Sequence, residues 1–109
     1  MARVVALVTD LMLASRVEGA LRAAGHEVEV RGALPEGAAE ADLIVADLEA
    51  TPDPATLVAI GPPTLGFYSH VDVATRRRAE EAGFDLVVPR SRMARELPEL
   101  AERLLNPSR

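Results

Sequence analysis

Apolar residues fall along this chain in two alternating rhythms. Residues 3–9, RVVALVT, are apolar almost throughout and read as a strand. Leu13, Val17, Ala20, Leu21 and Ala24 then recur at spacings of three and four, the signature of one buried helical face. Asp10 stands where a side chain can cap that helix, and Gly25 where a left-handed residue can end it. Residues 27–30 alternate as a short strand suited to a sheet edge. Residues 35–41 support at most a weak, short helix, because large apolar side chains are few and Gly37 interrupts them. Leu43 to Ala46 are four consecutive apolar residues ending in Asp47, which predicts a strand buried on both faces. Thr51-Pro52-Asp53-Pro54 makes a turn into a short helix near 55–60, and Gly61-Pro62-Pro63 breaks it. A fourth strand comes next, over 64–68. A helix over about 73–82, capped by Ser69 or Asp72, closes at Gly83, and a fifth strand covers 85–89. Pro98 is read as the start of the last helix, with Leu97, Leu100, Ala101, Leu104 and Leu105 on one face and Asn106-Pro107 at its end.

Five strands interleaved with five helical segments predict an α/β fold with a parallel sheet and right-handed crossovers. Strands of this number and length predict the flavodoxin-like order 2-1-3-4-5 with helices on both faces. No linker, repeat or low-complexity segment divides the chain, so residues 1–109 are expected to form one domain.

Composition narrows what such a domain can do. Hydrophobic residues make up 49% of the chain but aromatics only 3%, so the core must be built from Ala, Val and Leu. Cysteine is absent, which excludes disulfides, thiolate metal sites and cysteine nucleophiles and suits the cytoplasm. The apolar run at 4–8 is too short for a signal peptide, and Asp10 and Arg16 interrupt the residues after it. No run approaches the roughly 20 residues a membrane helix needs. A net charge of −5 argues against general nucleic-acid affinity. All 12 basic residues are arginine, and there is no lysine.

In open α/β sheets, chemistry sits outside the carboxyl ends of the strands. Asp10, Asp47, Tyr68, Ser69 and Arg90 all fall there, on one expected rim. Arg90 is placed to pair with Asp47 or Asp10, and a guanidinium held on Asp47 would compensate its charge. The Ser69-His70 pair does not carry a hydrolase, since neighbours in sequence rarely align as nucleophile and base and the nucleophile-elbow motif is missing. His70 reads instead as a surface or switch residue. The glycines form neither GxGxxG nor a P-loop, and neither aspartate sits in the DxDx[TV] pattern of metal-dependent phosphatases. Two distant histidines give no metal site. Arg76, Arg77 and Arg78 spread over about 200° of a helix and can pair with Glu80 and Glu81.

With these residues in place, the chain resembles a response-regulator receiver domain over nearly its whole length. In that family two acidic residues come after strand 1, an aspartate ending strand 3 accepts a phosphoryl group, and Mg2+ sits between the acids. A Thr or Ser at the end of strand 4 and a lysine after strand 5 complete the site. The resemblance places Asp47, in DLEATP, on the acceptor and Asp10 on the second acid, with Thr9 replacing the first. EAGFDLVVPRS looks like the stretch carrying the lysine and its proline, with Arg90 and Ser91 in those places. Tyr68 falls on the hydroxyl position and Ser69 one residue later.

Each departure weakens phosphoryl chemistry. Thr9 cannot replace a carboxylate in a Mg2+ site. Arginine is a planar fork where lysine is a point charge. Tyrosine is too bulky to close over a phosphoryl group. The resemblance therefore implies a pseudoreceiver: a stand-alone, phosphorylation-independent interaction module without catalytic activity or resident cofactor. It would meet a protein partner, or a second copy, through the face made by the fourth helical segment (about 73–82), the fifth strand and the last helix. Arg76, Arg77, His70 and Met93 are the candidates on that face. The competing readings are a phosphorylatable response regulator using Asp47 with Mg2+, and an α/β domain binding a small molecule or anion through Ser69 and Arg90.

Overall fold

The computed structural model describes residues 2–51, 53–69 and 73–106. A parallel sheet of five strands, β1 (Arg3–Leu7), β2 (Glu27–Arg31), β3 (Leu43–Asp47), β4 (Thr64–Tyr68) and β5 (Leu86–Pro89), runs in the order β2-β1-β3-β4-β5. Four α-helices connect and cover it: α1 (Leu11–Ala23), α2 (Pro54–Ile60), α3 (Val73–Ala82) and α4 (Arg90–Leu105). The strand order and the layering agree with the sequence pattern. The weak segment at 35–41 condenses to a single 3-10 turn, Ala38–Glu40, entered through Gly37 in a left-handed conformation.

The register explains which runs had to be wholly apolar. Val4 faces Leu43, Val5 faces Ile44 and Ala6 faces Val45, and all six are fully buried. Alternate residues of these strands then feed two cores. Val4, Ala6, Leu43, Val45, Leu65 and Phe67 meet Val17 and Leu21 of α1 and Leu97 and Leu100 of α4. On the other face, Val5, Leu7, Ile44 and Ala46 meet Leu48, Leu57 of α2, Ala79 of α3 and Phe84. Gly66 of β4 lies under this second core. A Cβ there would stand 2.9 Å from the Phe84 ring and 3.0 Å from Leu48, so only glycine lets both close over the strand.

The sheet borders differ in character. β2 carries Glu27, Glu29 and Arg31, and Glu29 is bonded to Arg31 at 2.7 Å and faces Arg3 at 3.5 Å. These arginines hold its carboxyl below the usual range, the Arg31 bond most of all. β5 ends in Pro89, which has no N–H to offer another strand.

One boundary departs from the sequence reading. The last helix begins at Arg90, directly after β5, and Pro98 lies inside it. An internal proline removes one helical donor and leaves the carbonyl four residues earlier without its partner. That carbonyl belongs to Ala94, which is exposed, so water can serve it. Meanwhile Met93, Leu97, Leu100 and Ala101 bury one continuous stripe across the proline. Packing of that stripe outweighs the local penalty. The same stripe corrects the placement of Met93 on an exposed partner face: it is 1% accessible and belongs to the first core.

Candidate functional site

Parallel strands bring their carboxyl ends to one rim, and the residues expected there do gather, with unequal roles. Asp10 lies beyond β1 in an extended conformation, and its Oδ1 accepts the Leu13 N–H at 3.0 Å, capping α1. Its other oxygen lies 3.7 Å from Arg90 Nη2, at the first residue of α4. Both side chains remain about half exposed, at 51% and 43%. Of the two partners the sequence allowed for Arg90, the ion pair goes to Asp10.

Asp47 ends β3 half-buried. Its Oδ1 accepts the Glu49 N–H at 3.0 Å, while its backbone carbonyl accepts the Thr51 hydroxyl at 2.9 Å and the Ala50 N–H at 3.0 Å. Burial pushes its carboxyl above the ordinary aspartate value, and the charge of Glu49 pushes the same way. The Glu49 and Ala50 N–H groups and the charge of Arg90 act against that rise. Arg90 therefore reaches Asp47 only through its field.

β4 ends at Tyr68, which pairs with Pro89 of β5, so Ser69 is the first residue beyond the strand. Tyr68 is 8% accessible and its side chain belongs to the second core. The Ser69 N–H is donated to Glu49 Oε1 at 2.9 Å. His70 lies outside the described residues, as does Asp72. Arg76 and Arg77 stand exposed on α3, with Arg76 3.8 Å from Glu80 one turn on.

An open cleft of about 1190 Å3 runs between the first turns of α1 and α4, lined among others by Asp10, Leu11, Met12, Arg16, Tyr68 and Arg90. Ser69 and Ser91 also reach it, but Asp47 does not line it. The rim thus has two parts. Asp10 and Arg90 hold the cleft, and Asp47 sits with Glu49 beside it, tied in through Ser69. Sequence reasoning missed Glu49, because nothing in its spacing announces that its carboxylate crosses to the next strand. It also passed over Leu11 and Met12. There the helical phase was a usable signal, since both fall off the buried stripe that starts at Leu13.

No family model matches the sequence, and no curated protein matches it. Solved structures do. A response regulator receiver domain protein from Clostridium thermocellum superposes with a TM-score of 0.85 at 13% identity, over 99% of this chain and 97% of that one. A CheY-like receiver domain protein from Methanospirillum hungatei gives 0.80 at 17% identity, covering 98% and 95%. NtrX from Brucella abortus gives 0.82 at 20% identity over 98% of this chain, which spans only 28% of NtrX. The chain has the fold of response-regulator receiver domains.

Proposed function

From that fold, we propose that this chain is a receiver-like signalling module that acts by docking on a protein partner, without phosphorylation of Asp47. The observation that carries this reading is the commitment of Asp10. One oxygen caps α1 and the other faces Arg90. Thr9, the neighbour that would have to supply the second acid, is neutral.

The fold's phosphorylated relatives imply a Mg2+ ion, and the donor set here does not fit one. Mg2+ binding relies on converging oxygen ligands, carboxylates first. Among the described residues no three His, Cys, Asp or Glu side chains stand together to hold a metal. Arg90, a planar donor fork in place of a compact ammonium, is already engaged with Asp10. No step is routed through a metal.

On this reading the module is not an enzyme and holds no resident cofactor, and a cysteine-free chain suits the reducing cytoplasm. Among the described residues no helix is long and apolar enough to cross a membrane. The partner would meet the face formed by α3, β5 and α4. Of the ten residues of α3 only Ala79 is buried, so the helix spends most of its surface on solvent and presents Arg76 and Arg77.

Incubation with acetyl phosphate and Mg2+, then intact-mass measurement, tests the central claim. The expected spectrum shows no added phosphoryl group. A phosphoryl adduct that disappears in Asp47→Ala would overturn the reading.

A further inference from the structure

We propose that the cleft between the first turns of α1 and α4 is a self-association surface, occupied by the same surface of a second copy of this chain. It is centred on α1 and shares the end of β5 and the start of α4, but no residue of α3, with the face proposed above, and it does not depend on whether Asp47 is phosphorylated.

Leu11 and Met12 are 85% and 82% accessible, and the next most exposed large apolar side chain among the described residues, Val73, is at 44%. Both lie in the first turn of α1, where Asp10 caps the helix whichever residues occupy that turn. The core does not need them, because the buried stripe of α1 runs through Leu13, Ala14, Val17 and Leu21. Two adjacent apolar side chains held in water add no buried surface to the core. Exposed apolar side chains gathered at one place mark interaction sites more often than scattered single ones do.

The surroundings indicate the cover. The two side chains stand on the wall of a cleft that also presents Pro89 and Ala94. Projection and recess are therefore neighbours on one patch. A two-fold pair requires that arrangement, since each copy must offer what it receives. The charges have the same property. Arg16 lines the cleft and has no ion-pair partner among the described residues, while Asp10 on the same wall caps α1 through Oδ1 and holds Oδ2 half exposed at 3.7 Å from Arg90, where that oxygen can accept a second guanidinium without loss of the cap. Across a two-fold axis, Arg16 of each copy would meet Asp10 of the other.

Net charge is compatible with this surface. Two copies of a chain carrying −5 repel one another, which favours approach where acids do not dominate. This rim carries Arg16 and Arg90 against Asp10. A contact centred on two apolar side chains from each copy belongs to the small end of interface sizes, so the dimer is weak and depends on concentration.

Sedimentation velocity of the intact chain from micromolar to millimolar concentration is the test. The expected result is a reversible monomer–dimer equilibrium. Replacing both apolar side chains, Leu11→Ser with Met12→Ser, should raise the dissociation constant at least tenfold, and Arg16→Glu should raise it several-fold. Ser15→Arg, which fills the cleft while leaving the cap and both apolar residues in place, should do the same. Arg77→Glu on α3 should leave it unchanged. A chain that stays monomeric throughout, or a dimer that tolerates the cleft variants and dissociates with Arg77→Glu, would overturn the proposal.

Discussion

The Glu49 carboxylate accepts the Ser69 N–H at 2.9 Å, while the Glu49 N–H is donated to Asp47 at 3.0 Å. One residue thereby ties the exit of β3 to the exit of β4. A charged acceptor on a backbone donor is among the stronger hydrogen bonds. The contact also places a second negative charge beside Asp47. Glu49→Ala should raise the amide exchange rate of Ser69 by about tenfold, if a net bond of about 1.4 kcal/mol is lost. Val45 and Leu65, deep in the sheet, should keep their protection. Unchanged exchange at Ser69, monitored by NMR, would mean the contact does not restrain the strand end.

Asp47 predicts a pH dependence of definite sign. Its folded-state value is raised above the ordinary one, chiefly by burial, so the ionised side chain weakens the fold. That penalty is present at neutral pH and is relieved as pH falls through the folded-state value toward the unfolded one. Asp47→Asn keeps an oxygen for the Glu49 N–H and removes the charge. Its melting temperature should exceed that of the parent chain at about pH 7 and converge with it below the ordinary aspartate range of about 3.9. A parent chain that gains nothing relative to the variant on acidification would contradict the assignment.

Asp10 and Arg90 should prove unequal partners. The ion pair is long and half exposed, which places its worth at about 0–1 kcal/mol. The cap that Asp10 gives α1 is worth about 1 kcal/mol. Chemical denaturation should therefore show Asp10→Ala more destabilised than Arg90→Ala. Asp10→Asn, which retains the cap, should lie near the parent. A double-mutant cycle should return a coupling below about 1 kcal/mol.

Packing gives the largest expected effects. Gly66→Ala forces a Cβ against Phe84 and Leu48, both buried, and should cost about 1–3 kcal/mol. Met93→Ala should cost about 2–5 kcal/mol by opening the first core. Denaturant midpoints with unchanged slopes would identify both as losses of stability alone.

Much of this architecture was legible in the sequence because burial on two faces leaves no choice of residue. Leu43 to Ala46 could only be an inner parallel strand, and Asp47 had to stand at the rim beyond it. The start of α4 was not legible in the same way. Pro98 signals a helix beginning, and only tertiary burial of Met93, Leu97 and Leu100 on one stripe overrides that signal. The partners at the rim were harder still. Whether Arg90 meets Asp10 or Asp47, and whether Glu49 turns toward β4, depends on side-chain directions across strands far apart in sequence. Periodicity carries no information about those. The exposure of Leu11 and Met12 was available from helical phase, because a stripe beginning at Leu13 excludes them.

The two free borders of the sheet have a consequence for how this molecule can gather. At β2 an incoming strand would meet a row of charged side chains, Glu27, Glu29 and Arg31, two of them already paired with each other. At β5 it would find a proline where the ladder needs a donor. Neither border invites the open-ended stacking by which β-rich chains aggregate. Contacts between molecules are thereby directed to the helices, where an association can close on itself and stop.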